Sequence, residues 1–392
     1  MYQKDALRIT SQGELPMVKS LIVSSSVLLA ACAAVSGAQT PHSPLVNHTF
    51  KEGVEGWVAM GTTAKVGVSH ESGIAQPSAG ALKFDYGVGK GELNAVILQT
   101  SLDSWTKAKS IKFRVRSDSN TIFAVALQEQ DGGRYGAIVQ VPKDAWQTVE
   151  LSTTDFILAQ DPNDPKDPDG KLDMDRVTSL AVTDVAQFFV SLDNPALASM
   201  FDIKQGSHTA YFDSFVVGTE AIPANTASTG DTVQLETFAH PQLGWIGLGV
   251  TKIAKSEGKP LEGSALHAEY HQAPGKLALL NRPLQSWVLT GTKVLTFDVA
   301  SAQPAKLLVQ FEQYDGGKYN MTIEVPGGSV PQHKKLLLSG FARGDDSTDK
   351  DTKIHLASIK SLAVIDISGL VDKADHDNSL WINHINATSL TQ

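Results

Sequence analysis

EQDGGRYGAIVQVP (Glu129–Pro142) is written again as QYDGGKYNMTIEVP (Gln313–Pro326), at an offset of 184 residues from Asp131 to Asp315. Each copy is an Asp-Gly-Gly turn between two alternating stretches, the pattern of a hairpin whose glycines supply the positive φ of a tight connection. In the first copy Phe123, Val125 and Leu127 share a face with Tyr135, Ala137, Val139 and Val141. Ala124, Ala126, Gln128 and Gln130 take the other face with Arg134, Gly136, Ile138 and Gln140. The second copy keeps the apolar face (Leu307, Val309, Phe311; Tyr319, Met321, Ile323, Val325). Its opposite face changes to Gln310, Glu312, Tyr314, Lys318, Asn320, Thr322 and Glu324. One face is core; the other is expected to be polar and free to vary.

The repetition reaches beyond the hairpin. TFKEGVEGW (Thr49–Trp57) matches TFAHPQLGW (Thr237–Trp245), ALKFDY (Ala81–Tyr86) matches ALHAEY (Ala265–Tyr270), and SLAVTD (Ser179–Asp184) matches SLAVID (Ser361–Asp366). SWTKAKSIKFRV matches SWVLTGTKVLTFDV apart from a two-residue insertion. Blocks in the same order at a near-constant offset mean a duplicated domain, because solenoid repeats are far shorter. The expected organisation is upstream residues and a signal over 1–38, a linker over 39–48, a first domain over 49–218, a linker over 219–234 and a second domain over 235–388. The fold class is all-β: two tandem β-sandwiches.

A chain of 392 residues with 42% apolar and 19% charged residues suits two cores rather than one. The net charge of −9, with no basic stripe, argues against a nucleic-acid partner. From Met17, which competes with Met1 as the initiator, the chain reads MVKSLIVSSSVLLAACAAVSGAQT. Lys19 and the apolar run Leu21–Leu29 form an export signal. Ser36-Gly37-Ala38 has the small-x-small pattern of ordinary cleavage after Ala38, whereas Leu29-Ala30-Ala31-Cys32 resembles the lipobox of bacterial lipoproteins. Cys32 is the only cysteine in the sequence, so it is the candidate lipidation site and no internal disulfide can form. The expected locations are the bacterial outer membrane or periplasm through a lipid anchor at Cys32, or the exterior after cleavage at Ala38.

DPNDPKDPDGKLDMD (Asp161–Asp175) crowds oxygen ligands into a short loop, which makes Asp167, Asp169 and Asp173 candidates for calcium. The full EF-hand pattern fails, with Pro165 and Arg176 at its first and last positions, and a solvated acidic loop is the competing reading. His267, Glu269 and His271 share a strand face, a spacing that suits a transition metal but also plain polar surface. No Gly-x-Ser-x-Gly or His-Glu-x-x-His motif occurs, so nothing marks the chain as an enzyme. The polar features kept in both copies are Asp-Gly-Gly-[Arg or Lys]-Tyr and the strand-ending Asp184 and Asp366.

Taken together, the opening Phe and Gly-Trp, the Gly-Ala-Leu strand, Ser-Trp before IKFRV, LQEQDGGRY, WQTVEL and YFDSF resemble a jelly-roll carbohydrate-binding module. The resemblance is to the galactose-binding-like superfamily, nearest to carbohydrate-binding module family 11, and it covers both copies by pattern. The second copy departs from it with KKLLLSGF and LWINHI. The resemblance implies polysaccharide or oligosaccharide binding on a sheet face and a structural calcium. Candidate sugar-binding residues are Gln128, Gln130, Arg134 and Gln140 in copy one. In copy two they are Glu312, Tyr314, Lys318, Asn320 and Glu324, where Tyr314 adds an aromatic ring. The expectation is a non-catalytic exported glycan-binding lipoprotein. Its alternatives are an envelope lipoprotein that docks a protein partner, and a polysaccharide lyase or hydrolase with a site between the copies.

Overall fold

The computed structural model describes residues 44–74, 79–160, 164, 167–191, 203–350 and 353–389. The export signal, Cys32 and Ala38 lie outside the described residues.

Each copy folds into two antiparallel sheets, and the strand orders repeat. In copy one the first sheet runs Lys65–Ser69, Ala81–Val88, Gly206–Gly218, Ser110–Ser117, Gln147–Ser152. In copy two the matching order is Lys252–Glu257, Ser264–Gln272, His376–Thr388, Val294–Ser301, Gln332–Leu337. The second sheet of copy one runs Ile157–Leu158, Arg134–Val141, Thr121–Glu129, Val177–Asp184, Ala95–Gln99, Trp57–Met60. Its counterpart runs Ala342–Arg343, Lys318–Val325, Ala305–Gln313, Ile359–Asp366, Ala278–Pro283, Ile246–Leu248. Even the irregularities are duplicated: the last long strand of each copy slips register, with Ser214 at φ 52° and His384 at φ 48° in equivalent positions.

The period-two alternation places every second residue inside. Each sandwich closes over its own core, Phe84, Phe113, Phe123, Val139 and Phe212 in copy one and Leu266, Phe297, Phe311, Tyr319 and Ile382 in copy two. Trp57 meets Phe215 edge-on at 5.0 Å, and Trp245 is equally buried in copy two. Two buried locks recur as well. Tyr86 Oη donates to Asp184 Oδ2 at 2.7 Å while Asp184 Oδ1 accepts the Ala186 amide at 2.8 Å. Tyr270 Oη donates to Asp366 Oδ2 at 2.8 Å, and the Ser368 amide to Oδ1 at 2.8 Å. The retained aspartates therefore tie the end of one sheet to a tyrosine of the other, with their buried acceptors satisfied.

Two expectations need correction. The stretch 219–234 is not a bare linker: Ala227–Thr229 and Thr232–Gln234 form a hairpin whose second strand pairs with Asn386–Thr388. Its backbone groups satisfy those of the final strand, as Val46–His48 do for Phe215–Val217 in copy one. Nor are the second faces of the hairpins open and polar. Ile122, Ala124 and Ile138 of copy one pack with Ile246, Leu279, Ala363 and Ile365 of copy two in one apolar cluster. Those apolar residues sit among the polar ones on the alternation, and removing them from water drives the two copies face to face.

Candidate functional site

The repeated Asp-Gly-Gly-[Arg or Lys]-Tyr holds the acidic loop of its own domain. Arg134 Nη1 lies 3.1 Å from Asp164 Oδ1, and Tyr135 Oη donates to Asp167. Lys318 Nζ lies 2.6 Å from Asp346 Oδ2, and Tyr319 Oη donates to Asp349 at 2.7 Å. Both cations are buried beneath their loops, where an ion pair has to be kept complete. Gln128 Oε1 accepts from Arg134 Nε at 3.2 Å. Glu312 is likewise buried and lies 3.0 Å from Lys360.

Arg134, Lys318 and Glu312 therefore stand in buried pairs rather than on a solvated face. Gln130 and Glu324 are exposed, and Tyr314 and Asn320 are half-buried. Gln140 joins the two domains, its Oε1 accepting the Gly247 amide at 2.8 Å.

The candidate calcium ligands shape their own loop: Asp167 Oδ1 accepts the Asp169 amide at 3.2 Å, Asp169 Oδ1 the Lys171 amide at 3.0 Å, and the Asp173 amide donates to Glu129 at 2.5 Å. Among the described residues no set of three or more His, Cys, Asp or Glu side chains is arranged to hold a metal ion. His267 stacks on Trp381 with ring centroids 4.7 Å apart, while His271 bonds Asp375 and Asp377.

Where the two domains meet, a cavity of about 590 Å³ opens beside the first hairpin. Its floor is the second sheet of copy one, with Ala124, Ala126, Gly136 and Ile138 facing in. Gly136 pairs with Ala126, and Ala126 with Ala181 on the next strand, so small side chains cross three strands in a line. A Cβ placed on Gly136 would meet nothing within 4 Å. In copy two the same line reads Asn320, Gln310 and Ala363, and Gln310 Nε2 donates to Asn320 Oδ1 at 2.8 Å across the gap. The trough therefore exists in copy one and is filled in copy two.

The walls are polar and rigid. Asp155 of copy one meets His240 of copy two at 2.8 Å and also accepts the Ser152 amide at 2.7 Å. Gln242 Nε2 donates to the Thr148 carbonyl at 2.8 Å. Arg282 spends its guanidinium on the Leu235 and Gly244 carbonyls and the Thr226 hydroxyl, at 2.9–3.2 Å, anchoring the interdomain hairpin to the second sandwich. Phe156, Leu172 and Met174 add apolar surface, and the exposed Gly170, Lys171 and Gln285 stand at the rim. A cavity of this size, apolar on its floor with a few fixed polar groups, has the build of a small-ligand site.

The hairpin alone marks this sheet face but not the cavity, since the walls come from copy one's own residues 151–174 and from residues more than 70 positions further along the chain (Ala224 onward). The signal was in the sequence as the replacement of Ala126 and Gly136 by Gln310 and Asn320 between otherwise matching strands.

No curated protein sequence matches the chain. Among solved structures, the family 11 carbohydrate-binding module of a cellulosomal cellulase of Clostridium thermocellum is similar at 18% identity, covering 45% of this chain and 96% of its own, with a TM-score of 0.32. A tandem of two family 22 modules from a Paenibacillus barcinonensis protein is similar at 15% identity, covering 90% of this chain and 99% of its own, with a TM-score of 0.28. Residues 39–194 match the sequence model of the carbohydrate binding domain of family 11, and that stretch includes the hairpin, its acidic loop and the trough.

Proposed function

We propose that this chain binds carbohydrate in the junction cavity, with the trough of copy one as the floor and copy two as the wall. The observation that carries this reading is the pair Ala126 and Gly136, which leaves space on the sheet face within the residues matched to family 11. A glycan segment laid there would set its C–H faces against Ala126, Gly136 and Phe156, and its hydroxyls towards Gln242, Gln285 and Asp155. Copy two then acts as a partner in the site and not as a second independent module. The chain is a non-catalytic binder in this reading, exported and held at the bacterial envelope by acylation of Cys32.

The test is calorimetric titration of the intact two-domain chain with mixed-linkage β-glucan, xylan and agar oligosaccharides, beside a Gly136→Asn variant that copies Asn320. Binding by the parent chain that falls at least about tenfold in the variant, with unchanged melting, supports the site. Equal binding by both proteins sinks it. Metabolic labelling with a fatty acid, lost in Cys32→Ser, tests the anchor separately.

A further inference from the structure

Each copy carries one tryptophan in the turn before the strand Ser110–Ser117 or Val294–Ser301, at a different position of that turn. Trp105 follows Ser104 in copy one and is 1% exposed in the core. Trp287 of copy two stands 184 residues on from Asp103, at that residue's place in the turn, and is 70% exposed, while the place of Trp105 is taken by the buried Leu289. The turn itself is the same in both copies, Thr106 donating to the Asp103 carbonyl as Thr290 does to that of Trp287. Asp103 takes the left-handed conformation (φ 62°) in copy one and Trp287 takes it at the same place in copy two (φ 70°), with Leu289 filling the interior as Trp105 does. A bulky side chain at positive φ is strained, and an indole left in water forgoes the gain of burial. Copy one makes the same turn with an aspartate at this place, so the fold does not call for a tryptophan there, and copy two closes its core with Leu289.

The backbone that carries the ring is held in one place. The Trp287 amide donates to the Ala357 carbonyl at 3.1 Å, and Thr290 donates back to the Trp287 carbonyl at 2.9 Å. Its neighbour Ser286 accepts from Gln160 of copy one at 2.7 Å, and Gln285 donates to the Phe156 carbonyl at 3.1 Å. Gln285 and Phe156 both line the junction cavity, so Trp287 stands two residues from its rim on a loop pinned by both domains. The preceding side chains are an amide and a hydroxyl, and Val288 on the other side packs against the core. An isolated ring on such a backbone suits the apolar face of a pyranose, whereas a protein partner calls for an apolar patch of several hundred Å².

We infer that Trp287 is a stacking platform for a sugar unit of a glycan chain that continues out of the junction cavity. The inference rests on the reading of that cavity as a carbohydrate site and names the residue that extends it. Binding is then graded by length: a short ligand fills the cavity, and a longer one gains the ring.

The experiment compares the parent chain, Trp287→Asn, Trp287→Phe and Gly136→Asn by calorimetry, using disaccharides and hexasaccharides of mixed-linkage β-glucan, xylan and agar. Asparagine tolerates the left-handed conformation, so the fold is expected to melt at or above the parent temperature. Trp287→Asn should lose about tenfold or more in affinity for the hexasaccharide, change by less than about twofold for the disaccharide, and recover partly in Trp287→Phe. A hexasaccharide bound equally by Trp287→Asn and the parent, but lost in Gly136→Asn, overturns the platform and leaves the cavity reading standing. An equal loss for both ligand lengths together with a lowered melting temperature gives Trp287 a structural role and also overturns it. A parent chain that binds none of these glycans overturns the cavity reading and the platform together.

Discussion

The acidic loops of the two copies are tied to their hairpins by the same bonds but differ in the charge beneath them. In copy two Gln313 is buried under the loop, donating to Asp315 Oδ1 at 3.1 Å and accepting the His355 amide at 2.5 Å. Burial works against ionisation of Asp349, yet bonds from Tyr319, Ser347 and Arg343 hold it below the usual carboxylate range. In copy one the residue at the position of Gln313 is Glu129, 2% exposed. Burial, with Asp167, Asp131 and Asp173 close by, pushes its carboxyl up to about 7 against the opposing bond from the Asp173 amide. The same backbone thus carries a raised carboxyl beneath the loop of copy one and a neutral amide beneath the arginine-braced loop of copy two. A shared fold constrains the hydrogen-bond geometry at a position more tightly than it constrains the charge.

The largest effects are expected where the copies agree. Asp184→Ala and Asp366→Ala each strand a buried tyrosine hydroxyl and an amide, and each should cost about 3 kcal/mol in urea denaturation. A large inequality between the two would show that the locks are alike only in geometry.

The next effect is where they differ. A folded pKa near 7 against about 4.5 unfolded means that Glu129 contributes stability below pH 4.5 that is lost as pH rises through 7. Glu129→Gln should therefore stabilise the protein by on the order of 2 kcal/mol at pH 8 and by little at pH 4.5. Gln313→Glu should destabilise it at pH 8. Denaturant midpoints across pH 4.5–8 check both, and a flat difference would remove the contrast.

A smaller free-energy change, but a functional one, is expected from exchanging the troughs. Ala126→Gln with Gly136→Asn fills copy one as copy two is filled, and should lower glycan affinity at least about tenfold, or 1.4 kcal/mol, with melting nearly unchanged. The reverse pair, Gln310→Ala with Asn320→Gly, should leave affinity where it was, because the cavity walls stand over copy one. Titration calorimetry distinguishes the outcomes. The smallest effect is Gln140→Ala, which removes one interdomain hydrogen bond to the Gly247 amide and should cost about 1 kcal/mol.

How much of this was legible in the chain varies with the range of the interaction. The repeat, the alternation of Phe123, Val125 and Leu127, and the Asp-Gly-Gly turn determined two β-sandwiches, because period-two burial and positive φ are local properties of the strand and its turn. The fates of Arg134 and Lys318 were not local. Alternation sends both away from the core, but only the folded acidic loops, some 30 residues on at Asp164 and Asp346, bury them. The junction cavity and the outward turn of Trp287 were further still from view. Ile138 stands among polar residues on its face until Ile246 and Ile365 of the other copy cover it, and Trp105 and Trp287 align in sequence although Leu289 takes the place of Trp105 in the fold. Apolar pattern names the residues that leave water, but which surface receives them is a long-range choice made by packing two whole domains together.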